Sequence, residues 1–267
     1  MSTRAEEQLA RSADGTRIGF QELGSGPPLV LVHGSLSTGD AWLPVATAMG
    51  EEFTCYVMDR RGRGRSGDAA EHALDRESED IKAVLDVAGP GAHLLGHSYG
   101  AICAIEAARR FPVGRLVLYE PPLMFRGPRA VALIERFRAA VRSNQLDQAL
   151  SIFMEDQLPN EMSALQGTPI WQELAALTLT LTRELEAIQR LAPSWERYRE
   201  LSVPTLLLLG TATSADLEAA SSALEEALPN ARTVLLDGHG HVANLTSPDL
   251  VARAVAEHLL AGDSGSG

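Results

Sequence analysis

Only two cysteines occur in 267 residues, Cys55 and Cys103. Both sit inside apolar segments, so buried reduced thiols are expected rather than a disulfide. Long apolar runs are missing too: none approaches the ~18 residues of a membrane-crossing helix. Met1 to Gly15 is polar and has no apolar stretch of the kind a secretory signal carries. The expected location is cytoplasmic, and the sequon Asn244-Leu245-Thr246 is read as an accident of sequence. Basic charge is scarce. There are 23 Lys and Arg against 35 Asp and Glu, a net charge of −12. Outside the arginines of residues 60 to 65 no basic stripe accumulates, which argues against nucleic acid and anionic membranes as partners. No repeat or low-complexity tract is present, and the tail Gly262 to Gly267 reads as a disordered end.

At 45% hydrophobic, a chain of this length buries a large core as one domain with room for an insertion. Apolar runs bounded by turn residues alternate with helical patterns, which predicts a mostly parallel sheet covered on both faces, an α/β fold. Strands are predicted near 17–22, 28–33, 53–58, 92–97, 115–119, 204–209 and 231–236, with a weaker one near 5–10. Helices are predicted near 40–49, 77–88, 99–110, 215–227 and 248–261, the last opening on Ser247 and Pro248. The stretch from 122 to 200 breaks this rhythm. It holds helical patterns at Val131 to Val141, Leu146 to Met154 and Ile170 to Leu191, punctuated by Pro159, Pro169 and Pro193. The predicted organisation is a core in two parts, 1–121 and 201–261, a helical cap at 122–200 and a tail at 262–267. Met124, Phe125, Met154 and Trp171 are candidates either for lining an apolar pocket or, more simply, for packing the cap helices together.

Chemistry concentrates at Gly96-His97-Ser98-Tyr99-Gly100, a G-x-S-x-G between an apolar run and a small-residue helix. In that context a sharp turn holds the serine Oγ outward and aims the next backbone N–H at a developing oxyanion. A side chain at Gly96 or Gly100 would collide where strand and helix backbones approach. A serine hydroxyl needs a base within reach, an oriented imidazole and oxyanion donors. The candidate base lies in Leu235-Leu236-Asp237-Gly238-His239-Gly240-His241, a loop after the last strand; His241 and His239 both qualify by position.

The ordered set of motifs resembles the α/β-hydrolase superfamily over nearly the full length. The matching pieces are His33-Gly34, Trp42, the turn Asp59 to Gly67, the serine turn, and Gly240-His241 with Pro248 seven residues on. The resemblance implies that His241 is the base and that His97 and His33 pack the site or shape the oxyanion loop. It also implies two oxyanion donors, the N–H groups of Tyr99 and of Ser35, with Leu36 as the alternate. The acid departs from the commonest family pattern, because its usual place is Thr213, which carries no charge. Some members place the acid directly after the strand that follows the nucleophile helix, and there stands Glu120. A lone carboxylate ending an apolar strand is costly unless partnered. Asp216 and Asp237 are the runners-up.

Two other motifs fit the residues less well. Gly62 to Gly67 matches G-x-G-x-x-G, with Asp80 eighteen residues beyond Gly62, but the polar stretch Asp68 to Asp80 does not suit a dinucleotide turn. The arginines there are expected to pair around Asp59. His239 and His241 lack the carboxylates or thiols of a metal site. The expectation is a cofactor-independent serine hydrolase with the triad Ser98, His241 and Glu120, acting on a small, fairly apolar ester or lactone. A perhydrolase, thioesterase or carbon–carbon bond hydrolase would use the same triad. A non-catalytic ligand binder on the same fold is the alternative of a different class.

Overall fold

The computed structural model describes residues 6–158, 162–163, 165–191 and 194–261. The tail at 262–267, Pro159 and Pro193 lie outside the described residues. Two compact units are present: Met1–Gly34, Thr38–Met124 and Pro193–Gly267 form one, and Ser35–Ser37 with Phe125–Ala192 form the other.

The first unit is built on an eight-stranded sheet of β1 (Glu6–Arg11), β2 (Arg17–Gly24), β3 (Pro28–Val32), β4 (Thr54–Met58), β5 (His93–His97), β6 (Leu116–Tyr119), β7 (Thr205–Gly210) and β8 (Ala231–Leu236). Their order is β1-β2-β4-β3-β5-β6-β7-β8. Strand β2 pairs antiparallel with β1 and β4, and every other pair is parallel. The inner strands read Pro-Leu-Val-Leu-Val, Leu-Val-Leu-Tyr and Thr-Leu-Leu-Leu-Leu-Gly, continuous apolar runs that suit burial on both faces. Alternate residues define the faces. Leu29, Leu31, Leu95, Val117, Leu206 and Leu208 pack with Trp42, Met49, Val251, Val255 and Leu259 in one cluster, each fully buried aliphatic contributing about 1.5–3 kcal/mol.

Helices α1 (Leu43–Met49), α2 (Leu74–Ala88) and α3 (Tyr99–Arg110) precede the helical unit, and helices α7 (Ala215–Ala227), α8 (Ala243–Thr246) and α9 (Pro248–Leu260) follow it. In α9, Pro248 takes the first helical position, and Val251, Val255 and Leu259 recur every fourth residue to face the core. Helix α2 begins three residues earlier than its apolar pattern predicts. Its first turn, Leu74-Asp75-Arg76, is polar and is preceded by Ala73, which offers no capping side chain.

The register fixes one rim of the sheet. Val32 pairs with Gly96, Gly96 with Leu118 and Leu118 with Leu207, so the carboxyl ends of β3, β5, β6 and β7 lie level. Whatever follows these strands shares one edge: Gly34, Ser98, Glu120 and the loop after Leu209. Ligands of such sheets bind outside this edge.

The second unit is helical, with α4 (Gly127–Arg142), α5 (Leu146–Gln157) and α6 (Pro169–Arg190). Leu133, Ile134, Phe137 and Ala140 present one stripe to Leu150, Met154, Trp171, Leu181 and Leu185, and Leu36 joins the same cluster. Met154 and Trp171 are thus core residues of this unit, and the Trp171 Nε1–H donates to Asp147 Oδ1 at 3.1 Å. Phe125 packs against the cluster from its edge, while Met124 is 40% exposed. Among the described residues no helix is long and apolar enough to cross a membrane.

Candidate active site

Ser98 occupies the link between β5 and α3 with φ 54° and ψ −126°, a backbone conformation that side chains rarely adopt. The turn is closed because its flanks are bare: a Cβ on Gly96 would stand 2.4 Å from the Gly100 oxygen, and one on Gly100 2.4 Å from the His33 oxygen. Such strain persists only where the surroundings over-determine it. Here the Ser98 N–H donates to the Tyr119 oxygen at 2.8 Å, and the Ser98 oxygen accepts from Ala101 N–H at 2.9 Å.

Glu120 follows β6 in the left-handed region, at φ 47°. It is fully buried and both its oxygens are engaged. Oε1 accepts the Gly210 N–H at 2.8 Å, and Oε2 accepts from His241 Nδ1 at 2.6 Å. The carboxylate is therefore held at two points, one by the end of β7 and one by the imidazole. Asp216 is exposed in the first turn of α7, and Asp237 is exposed with its Oδ1 3.4 Å from the Thr211 hydroxyl. His239 contributes backbone: its oxygen accepts from Ala212 N–H at 2.9 Å.

The loop carrying His241 is anchored by two further side chains. The Tyr119 hydroxyl, buried at the end of β6, donates to the Gly240 oxygen and accepts the Ala243 N–H at 3.0 Å. The His97 Nε2–H donates to the His241 oxygen at 2.8 Å, and the two rings are tilted by 44° with centroids 4.6 Å apart. Burial, and after it the nearby His241, pushes the His97 pKa well below its ordinary value, so His97 stays neutral. Trp42 packs edge-on against His97, with ring centroids 6.1 Å apart.

The arginine turn differs from its expected pairing. Arg65 does pair with Asp59, at 3.0 Å. Arg60 instead grips Glu77 with two bonds of 3.1 and 2.9 Å, and Arg61 grips Asp80 with two of 2.6 and 2.8 Å. Asp80, at the spacing of a ribose-binding acid, is consumed in this buried pair. The Glu77 Oε1 also accepts from His72 Nε2 at 3.0 Å. Of the two expected oxyanion residues, Tyr99 opens α3 in the first unit. Ser35 belongs to the second, where its hydroxyl donates to the buried Glu184 at 2.7 Å. Leu36, the alternate, is at φ 49° and buried in that unit's core.

A model of the alpha/beta hydrolase family matches residues 29–254. The chain belongs to that family. Among solved structures, an alpha/beta hydrolase from Sphaerobacter thermophilus superposes with a TM-score of 0.84 at 33% identity, over 94% of this chain and 99% of that one. A pimeloyl-[acyl-carrier protein] methyl ester esterase of Aeromonas hydrophila is 27% identical over 264 residues, 91% of this chain and 99% of that protein. The N-formylmaleamate deformylase of Pseudomonas putida is 42% identical over 125 residues, 45% of this chain and 47% of that protein, so this match spans about half the length of either. Relatives of this alpha/beta hydrolase thus include an esterase and a deformylase. Sequence reasoning missed Tyr119 and the Gly210 N–H. A tyrosine ending an apolar strand looks like core, and a backbone donor leaves no trace in composition.

Proposed function

We propose that the protein is a cofactor-independent serine hydrolase in which Ser98, His241 and Glu120 form the triad. The bond between Glu120 and His241 Nδ1 carries this reading. It fixes the tautomer with Nε2 unprotonated, the form required of a general base, and places a negative charge against the imidazolium that forms in turnover. Ser98 Oγ attacks a substrate carbonyl while His241 Nε2 takes its proton. The tetrahedral oxyanion is held by the N–H groups of Tyr99 and Ser35. His241 then protonates the leaving group, and a water molecule activated by the same ring releases the acid and restores Ser98.

The substrate class proposed is a small, fairly apolar ester or lactone, and the helical unit is read as the cap that selects the acyl group. The test is a panel of acyl esters and lactones of graded length, run on wild type and Ser98→Ala, with labelling by a serine-directed phosphonate. Turnover and labelling that vanish together in Ser98→Ala are expected. An inert Ser98 in the wild type would make the protein a binder on a hydrolase fold. A second reading, hydrolysis of an N-acyl bond, is favoured by the 42% identical stretch shared with the deformylase. N-formyl amides in the same panel decide between the two.

A further inference from the structure

The Gly34 carbonyl oxygen accepts two hydrogen bonds, from His33 Nδ1 at 2.8 Å and from the Arg60 guanidinium at 3.1 Å. A trans peptide is planar, so fixing its C=O fixes its N–H in the opposite direction. The N–H opposed to the Gly34 oxygen is that of Ser35. The same guanidinium lies 4.5 Å over the ring of Tyr99, the residue that supplies the other N–H. Arg60 is itself immobilised. It is 1% exposed, its fork is held by Glu77, and the Glu77 Oε1 that meets the fork also accepts from His72. Its own backbone N–H donates to His33 Nε2 at 3.1 Å. This fits a neutral His33 that donates through Nδ1, as burial and the charges of Arg60 and Arg63 dictate.

We propose that Arg60 is a positioning residue for the oxyanion hole: by bonding the Gly34 carbonyl it aims and polarises the Ser35 N–H, and by lying over Tyr99 it seats the second donor. The proposal rests on the serine-nucleophile reading above. A charge-assisted bond to one end of a peptide pulls electron density from the other, so the opposed N–H becomes a stronger donor. The anion forms only after attack, so the benefit falls on the transition state rather than on substrate binding.

The experiment uses two variants that leave the local net charge unchanged. Arg60→Lys keeps the cation and loses the fork. The double variant Arg60→Met/Glu77→Gln removes the pair together, because a buried charge left alone threatens the fold. The probe is a trifluoromethyl ketone labelled with ¹³C at its carbonyl, which forms a hemiketal with Ser98. The expected result is a hemiketal hydroxyl whose pKa rises by roughly one unit or more in both variants. With it, kcat falls roughly 10- to 100-fold while KM stays within about threefold. A folded variant with wild-type hemiketal pKa and kcat would overturn the role of Arg60 alone and leave the triad standing. A wild type that forms no hemiketal removes the nucleophile and this proposal together.

Discussion

Glu77 and Glu120 are both buried carboxylates with a histidine nitrogen against one oxygen, yet only Glu77 has a permanent cation. Burial pushes the Glu77 carboxyl up, but the Arg60 charge and the bonds from His72 and Arg60 hold it well below the usual range. Its charge is cancelled in every state of the protein. Among the described residues, Glu120 is met by a backbone N–H and by an imidazole. Under the proposed mechanism its full counter-charge arrives only when His241 is protonated. A structural carboxylate is neutralised in advance, whereas one that serves a reaction is fixed in place with its charge still uncommitted.

The largest effect expected from this contrast is on Glu120→Gln. The variant should fold normally by circular dichroism and lose roughly 10³- to 10⁴-fold in kcat, because the amide no longer favours the imidazolium. Wild-type turnover of an ester that the wild type hydrolyses would break the comparison. Glu77→Gln should act on the other axis. Leaving Arg60 buried without its counter-charge should cost about 3–5 kcal/mol of stability by urea denaturation.

Acid titration reads a buried histidine away from both carboxylates, His258. Burial, aided by the charges of Arg115 and Arg232, lowers the His258 pKa to about 4, against a bond to the Pro204 backbone that raises it. Between there and the unfolded value of ~6.5, the unfolded chain binds more protons. Stability is therefore full above pH 6.5 and falls toward pH 4, by about 2 kcal/mol at pH 5 from this residue. Glu77 stays ionised across that window, while burial also holds His33, His93 and His97 below their ordinary values, so the gap between urea midpoints at pH 7.5 and 5 should narrow in His258→Gln without closing. The smallest effect is expected for Tyr119→Phe. Losing its two hydrogen bonds to the histidine loop should lower kcat by roughly tenfold and stability by about 1 kcal/mol. Unchanged turnover would mean that Glu120 and His97 place the ring without the tyrosine.

Most of the sheet was legible because buried parallel strands are continuous apolar runs, and β3, β5, β6 and β7 end where those runs end. Glu120 was singled out by the resemblance and by a physical reason, that a charge at the end of Leu-Val-Leu-Tyr asks for a partner, and the partner it has is His241 Nδ1. The partners of the arginines were not. Glu77 and Asp80 lie on α2 among residues that look like a solvated face, yet both are buried. The guanidiniums that permit this stand 17 and 19 residues earlier, and charge matching across that distance has no local pattern. Tyr119 was hidden in the same way, since its hydroxyl acts 121 residues away, on Gly240.

Tyr119 and Glu120 are consecutive, one bonding the backbone of the histidine loop and the other its ring. Two adjacent codons thus specify both where the imidazole sits and which charge it meets. The two tasks are separable even so: a lineage that moved the acid to another strand would still need the tyrosine to keep the loop seated, so position 119 is constrained whatever stands at 120.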